Sequence, residues 1–220
     1  MRASRILCVS SLMLLLTPAI GFSQPRKAGA AVFLSPLEHA VVNEINLART
    51  APQDYASLLE PYKKYYDKKL LRLPAETPIL TIEGVEAVIE AIRFLHSMKS
   101  ISPLTPSKGM SRGAQDHVKD QESSGSSQHK GSDGSQPWDR VNRYGTWEKS
   151  IGENIAYGSD KARDIVLSLI IDDGVPGRGH RKNIFTPNFR MIGVAFGRHA
   201  TYRTVCVITL AGGYREKGEK

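Results

Sequence analysis

The stretch MIGVAFGRHATYRTVCVITLAG, residues 191–212, decides the fold of this chain. Two runs rich in valine, isoleucine and threonine, MIGVAFG (191–197) and TVCVITLAG (204–212), flank the polar RHATYR (198–203). That layout predicts an antiparallel hairpin. Upstream the dominant period is helical. Leu37, Val41, Val42, Ile45 and Ala48 recur at helical spacing behind Pro36, which a first helical turn tolerates. A second helical piece runs through Tyr55, Leu58 and Leu59, and the basic YKKYYDKK (62–69) reads as an exposed loop or frayed helix. Glu83 to Ser97 carries an apolar face on Val85, Val88, Ile89, Ile92 and Leu95. Lys108 to Glu122 is a weaker helix because Gly109 and Gly113 lower its propensity. Ala162 to Ile171 is one more helix, ending at Asp172, Asp173 and Gly174. Helices filling the first two thirds and strands the end favour an α+β layered domain over a βαβ repeat.

The ends of the chain speak to compartment. MRASR is followed by an apolar run, Ile6 to Leu16, and by small residues at Ala19, Gly21 and Ser23. This is the three-part layout of a secretory signal peptide, here spanning 1–23. The run is well short of the roughly 20 residues that span a bilayer core. Residues 24–35 read as a flexible leader, 36–215 as the domain and 216–220 as a polar tail. The expected destination is periplasmic or extracellular. Cys8 leaves with the signal, so Cys206 alone cannot close an intramolecular disulfide and is expected as a buried strand residue. The formal net charge is +8, and loss of Arg2 and Arg5 leaves +6. In an exported protein that charge favours anionic envelope polymers or lipid head groups over nucleic acid.

Three histidines have suggestive surroundings: His117 on the weak helix, His129 in the polar SSGSSQHKGSDGSQ (123–136), and His180 in the turn-rich GVPGRGH (174–180). A loop that long and polar in an exported domain is either functional or disordered. Glu153 stands between Gly152 and Asn154 in GENIAYG (152–158). There is no HExxH, no CxxC pair and no GxSxG elbow, and GVPGRGHRKN lacks the GK[ST] ending of a phosphate loop.

The order of these pieces is informative. NLAR (46–49), QHKGSDG (128–134), GENIAYG, then GHRKNIF (179–185) with FRMIGVAFG (189–197) resembles the CAP superfamily, also called the SCP domain, in its disulfide-free bacterial form. The similarity runs from about Leu37 to Tyr214. The resemblance implies a three-layer α-β-α sandwich with a central antiparallel sheet. It also implies a cleft gathering two histidines and two acids, in some members around a divalent metal. His129, Glu153 and His180 match three of the four. The family's second glutamate has no counterpart; Asp173 is the best match and Asp172 the next, each one methylene shorter. Asn46 and Arg49 match a first-helix motif with a structural, hydrogen-bonding role. Imidazole and carboxylate together suit zinc or a similar ion, and they also suit acid-base chemistry. The expected function is a non-enzymatic exported module that binds a lipid or envelope component. The alternative is a metal-dependent hydrolase of peptide or cell-wall material, which needs an open coordination position.

Overall fold

The computed structural model describes residues 33–74 and 77–218, which belong to one compact unit. The reading of 1–23 as a signal peptide, and of the leader up to residue 32, lies outside the described residues. Leu34 already packs on the core and Ser35 caps α1 (Pro36–Thr50), so the ordered domain begins slightly before Pro36. The cap is reciprocal: Glu38 N–H donates to Ser35 Oγ (3.3 Å) and Ser35 N–H donates to Glu38 Oε2 (2.7 Å). The other Glu38 oxygen accepts from Phe196 N–H (3.0 Å), fixing the helix start against the sheet.

After α2 (Pro52–Leu59) the basic segment 62–69, expected as exposed loop or frayed helix, begins in a 3-10 turn (Glu60–Tyr65) and ends in a strand and a turn. Its strand β1 (Tyr66–Asp67) joins β2 (Leu70–Leu71) and β3 (Ile79–Leu80) in a small antiparallel sheet. Then come α3 (Val85–Ser97), β4 (Thr105–Pro106), α4 (Lys108–Ser124), α5 (Pro137–Asn142), β5 (Gly145–Tyr157), α6 (Ala162–Ile171), α7 (Gly179–Phe185), β6 (Met191–His199) and β7 (Arg203–Glu216). The main sheet has the order β4-β6-β7-β5. The expected hairpin is β6–β7, with Val194 opposite Ile208 and Ala195 opposite Val207. Because β4 runs parallel to β6, the sheet is mixed instead of wholly antiparallel.

Strand alternation sorts the core into two layers. Ile192, Val194, Cys206, Ile208 and Leu210 bury against α1, α3 and α6, while Ala195, Val205 and Val207 bury against Ala114 and Val118 of α4. The result is an α-β-α sandwich. Cys206 is 1 % exposed, and burial pushes its thiol far above the ordinary range, so it behaves as a small apolar residue. The glycines that weaken α4 as an isolated helix let it approach its neighbours. A Cβ on Gly113 would lie 2.9 Å from the Val141 backbone, and one on Gly193 would collide with the Met110 backbone. Close packing recovers what propensity loses.

Arg49 and Asn46 close the bottom of the domain. The wholly buried Arg49 guanidinium donates to the carbonyls of Ser102 (3.0 Å), Ile184 (2.5 Å), Thr186 (3.2 Å) and Phe189 (3.1 Å), and burial lowers its pKa to about 10. Asn46 exchanges two hydrogen bonds with the backbone of Leu104 (2.9 and 2.7 Å).

Candidate functional site: two braced imidazoles

Glu153 sits in β5, which the sequence reading did not mark as a strand. Gly, Lys, Glu and Asn are poor strand formers, but β5 is held along its length by β7, with Glu153 opposite Thr209 and Asn154 opposite Ile208. Period two sends these two neighbours to opposite faces of the edge strand. The Glu153 carboxylate is 2 % exposed, and the Arg140 guanidinium of α5 donates to its Oε2 at 2.8 Å. Its Oε1 lies 3.0 Å from His129 Nδ1. An ionised carboxylate only accepts, so Nδ1 carries the proton and Nε2 faces outward on a ring that is 51 % exposed.

The loop presenting His129 is ordered despite its composition. Two buried histidines hold it: His117 Nε2 donates to Gln128 O (2.9 Å) and His199 Nε2 donates to Ser126 O (2.9 Å). Gln121 adds a bond to Gln128 O (2.9 Å), and Asp120 accepts from Ser132 N–H (3.0 Å). His117, singled out from sequence, is thus a brace one layer behind the site. Desolvation, followed by the nearby Arg140 charge, lowers its pKa. His199 was not singled out; a histidine closing an apolar strand is the only mark it carries.

The second pair is local. Asp172 ends α6 in the left-handed region (φ 56°, ψ 42°), which turns its side chain back toward α7. Its Oδ1 lies 2.7 Å from His180 Nδ1, while Oδ2 accepts from His180 N–H (2.9 Å) and Arg181 N–H (3.2 Å). Asp173 is therefore not the partner of His180, although it is the nearer match by spacing. Its carboxylate accepts from Ile82 N–H (2.7 Å) and Glu83 N–H (2.8 Å) just ahead of α3. Two arginines of the basic turn face inward as well. Arg178 donates to both Glu83 oxygens (2.6 Å each), to Glu90 and to Asp172 O (2.7 Å); Arg181 donates to Ile170 O (2.5 Å), Ile171 O (2.9 Å) and Glu90 (3.0 Å). The Arg178 guanidinium lowers the Glu83 pKa to about 2.

Asn154 joins the two pairs by donating to His180 O (3.0 Å) and accepting from Asn183 (2.8 Å) on the face opposite Glu153. The four expected residues, with Asp172 in place of Asp173, thus form two imidazole–carboxylate pairs instead of one four-ligand shell. Each carboxylate oxygen already accepts from a protein donor, and among the described residues no three His, Cys, Asp or Glu side chains converge as metal ligands. The arrangement does not fit a zinc ion shared by all four. It fits carboxylates that orient two imidazoles. Neither a cavity of about 680 Å³ beside α3 nor one of about 640 Å³ under the small sheet is lined by His129 or His180.

A model of the cysteine-rich secretory protein family, CAP, matches residues 42–209, a span that holds both pairs and all of the main sheet but the second half of β7. The chain belongs to the CAP family. Among curated proteins it is similar to the uncharacterized protein YkwD of Bacillus subtilis, 28 % identical over 109 residues. That alignment covers 50 % of this chain and only 40 % of YkwD. Among solved structures, an outer surface protein of Borrelia burgdorferi matches with a TM-score of 0.43 at 14 % identity, over 60 % of this chain and 88 % of that one. An extracellular SCP-domain protein of Bacillus anthracis matches with a TM-score of 0.40 at 22 % identity, over 55 % and 36 %.

Proposed function

We propose that this CAP-domain chain is an exported, non-enzymatic binding module that takes an anionic envelope component or lipid head group at its two braced imidazoles. The observation that carries the reading is the paired geometry. Each Nδ1 is tied to a buried carboxylate, so each ring is held in one orientation with Nε2 left for a ligand, an acceptor when the ring is neutral and a donor when it is protonated. A ligand met at His129 is read at the surface, as a head group or polymer is, because that ring is 51 % exposed. The positive balance of the chain works in the same direction.

Inorganic phosphate, followed through the ring C–H resonances of all the histidines, tests this. The expected outcome is that His129 and His180 shift in parallel with phosphate while His117 and His199 do not. Rings of His129 and His180 that ignore phosphate at every pH from mildly acidic to neutral would remove the reading. Zinc calorimetry separates the hydrolase alternative. A stoichiometric site lost in the double variant His129→Ala/His180→Ala would restore it, whereas the separate pairing of the two imidazoles, with no three such ligands converging among the described residues, leads us to expect none.

A further inference from the structure

The small sheet β1-β2-β3 takes no part in either imidazole pair, yet it and the residues just after β3 carry the most exposed large aliphatic side chains of the described residues. Leu80 is 77 % exposed, Ile82 64 % and Ile79 52 %. Its two faces differ. Leu71 and Ile79, paired across β2–β3, line the cavity of about 640 Å³ over α6. Alternation turns Leu70 and Leu80, the next pair, to the other face. The outer edge of that face is basic. Lys68 and Lys69 form the β1–β2 turn, both are exposed, and no described ion pair involves either. The turn is rigidly placed: Lys69 O accepts from Thr81 N–H (2.8 Å) and Thr81 Oγ1 (2.7 Å), which sets the lysines beside Leu80 and Ile82. Across 63–72 there are five cations, Lys63, Lys64, Lys68, Lys69 and Arg72, against one acid, Asp67.

We infer that this tip, Leu80 and Ile82 flanked by Lys68 and Lys69, docks on an anionic lipid bilayer. Single exposed aliphatics are ordinary, but Leu80 and Ile82, two residues apart at the end of a two-residue strand and both more than 60 % exposed, are not explained by the core. A stable protein interface covers roughly 800 Å² on each partner, far more than the tip of so short a sheet offers. A bilayer needs less, because a few aliphatic side chains enter the head-group boundary while lysine stems reach back to anionic heads. The inference goes beyond the proposed function and does not depend on the imidazoles. It does place the strap 172–179 between α6 and α7 in both, since Asp173, next to Asp172, holds the backbone of Ile82.

The experiment uses the chain from Gln24 onward, which keeps the whole compact unit and leaves out the apolar run 6–16. It is sedimented with vesicles of phosphatidylcholine alone and of phosphatidylcholine with phosphatidylglycerol in equal parts. Binding is expected to the mixed vesicles only, and to weaken with salt. Leu80→Ser/Ile82→Ser and Lys68→Glu/Lys69→Glu should each weaken it by about tenfold or more, with unchanged thermal midpoints because all four side chains are exposed. Leu80→Trp should show a blue-shifted emission on the mixed vesicles. The double variant His129→Ala/His180→Ala should bind vesicles through the tip as the parent does, so that loss of the imidazole reading and loss of this one are told apart. No binding of the parent chain to the mixed vesicles, or binding that survives both tip variants, overturns the inference. So does self-association of the parent that Leu80→Ser/Ile82→Ser abolishes, which would make the tip a protein interface.

Discussion

His129–Glu153 and His180–Asp172 do the same thing in opposite ways. In the first, residues 24 apart meet because an edge strand and a polar loop are each fixed from behind, the strand by β7 and the loop by His117 and His199. In the second, residues eight apart meet because the short turn between α6 and α7, with left-handed backbone at Asp172, Gly174, Gly177 and Arg178, reverses the chain. The first acid is locked by a buried arginine and the second by backbone N–H groups. One chemical unit, a carboxylate-braced imidazole, is thus reached once through long-range packing and once through local geometry. The two should therefore fail differently.

The largest expected effect is on the long-range pair. Glu153→Ala leaves the Arg140 guanidinium buried, 2 % exposed, without its counter-charge and should cost about 3–5 kcal/mol in chemical denaturation. A cost under about 1 kcal/mol would mean that Arg140 finds another partner and that the brace is dispensable. On the local side, Asp172→Ala removes acceptors for two backbone N–H groups and one imidazole, and should cost about 1–3 kcal/mol. Asp173→Ala makes the contrast sharper. It unties two N–H groups ahead of α3 and should cost about 1 kcal/mol while leaving the His180 ring resonances in place. Movement of those resonances by Asp173→Ala, and not by Asp172→Ala, would reverse the pairing described above.

Acid should also separate the regions. The folded His117 pKa lies below its ordinary 6.5, so the unfolded chain binds more protons and stability falls as pH drops below that value. Glu83, on the strap side, has its pKa depressed from 4.5 to about 2, so the stability it contributes is present above 4.5 and is lost as pH falls toward 2. Amide exchange should therefore show loop 125–136 loosening at mildly acidic pH while the strap 172–179 stays protected until much lower. Simultaneous loosening would show that one cooperative unit carries both pairs. The smallest effect is expected from reductant: with Cys206 buried and unpaired, dithiothreitol should leave the thermal midpoint unchanged.

The sequence by itself determined the layers. Helical spacing in α1, α3 and α6 and the β-branched runs of β6 and β7 are local patterns, and burying each apolar face leaves few architectures open. It also marked His129, Glu153 and His180, since polar and glycine-flanked backbone is where side chains can be presented. Only the tertiary structure decided the rest. It made a strand of the polar GTWEKSIGENIAY, because pairing with β7 outweighs weak propensity. It built a sheet from the basic segment after α2, turned the turn's arginines inward onto Glu83 and Glu90, and chose Asp172 over Asp173. Adjacent aspartates are chemically identical in sequence. The left-handed turn at the end of α6 sends one to His180 and the other to the residues ahead of α3.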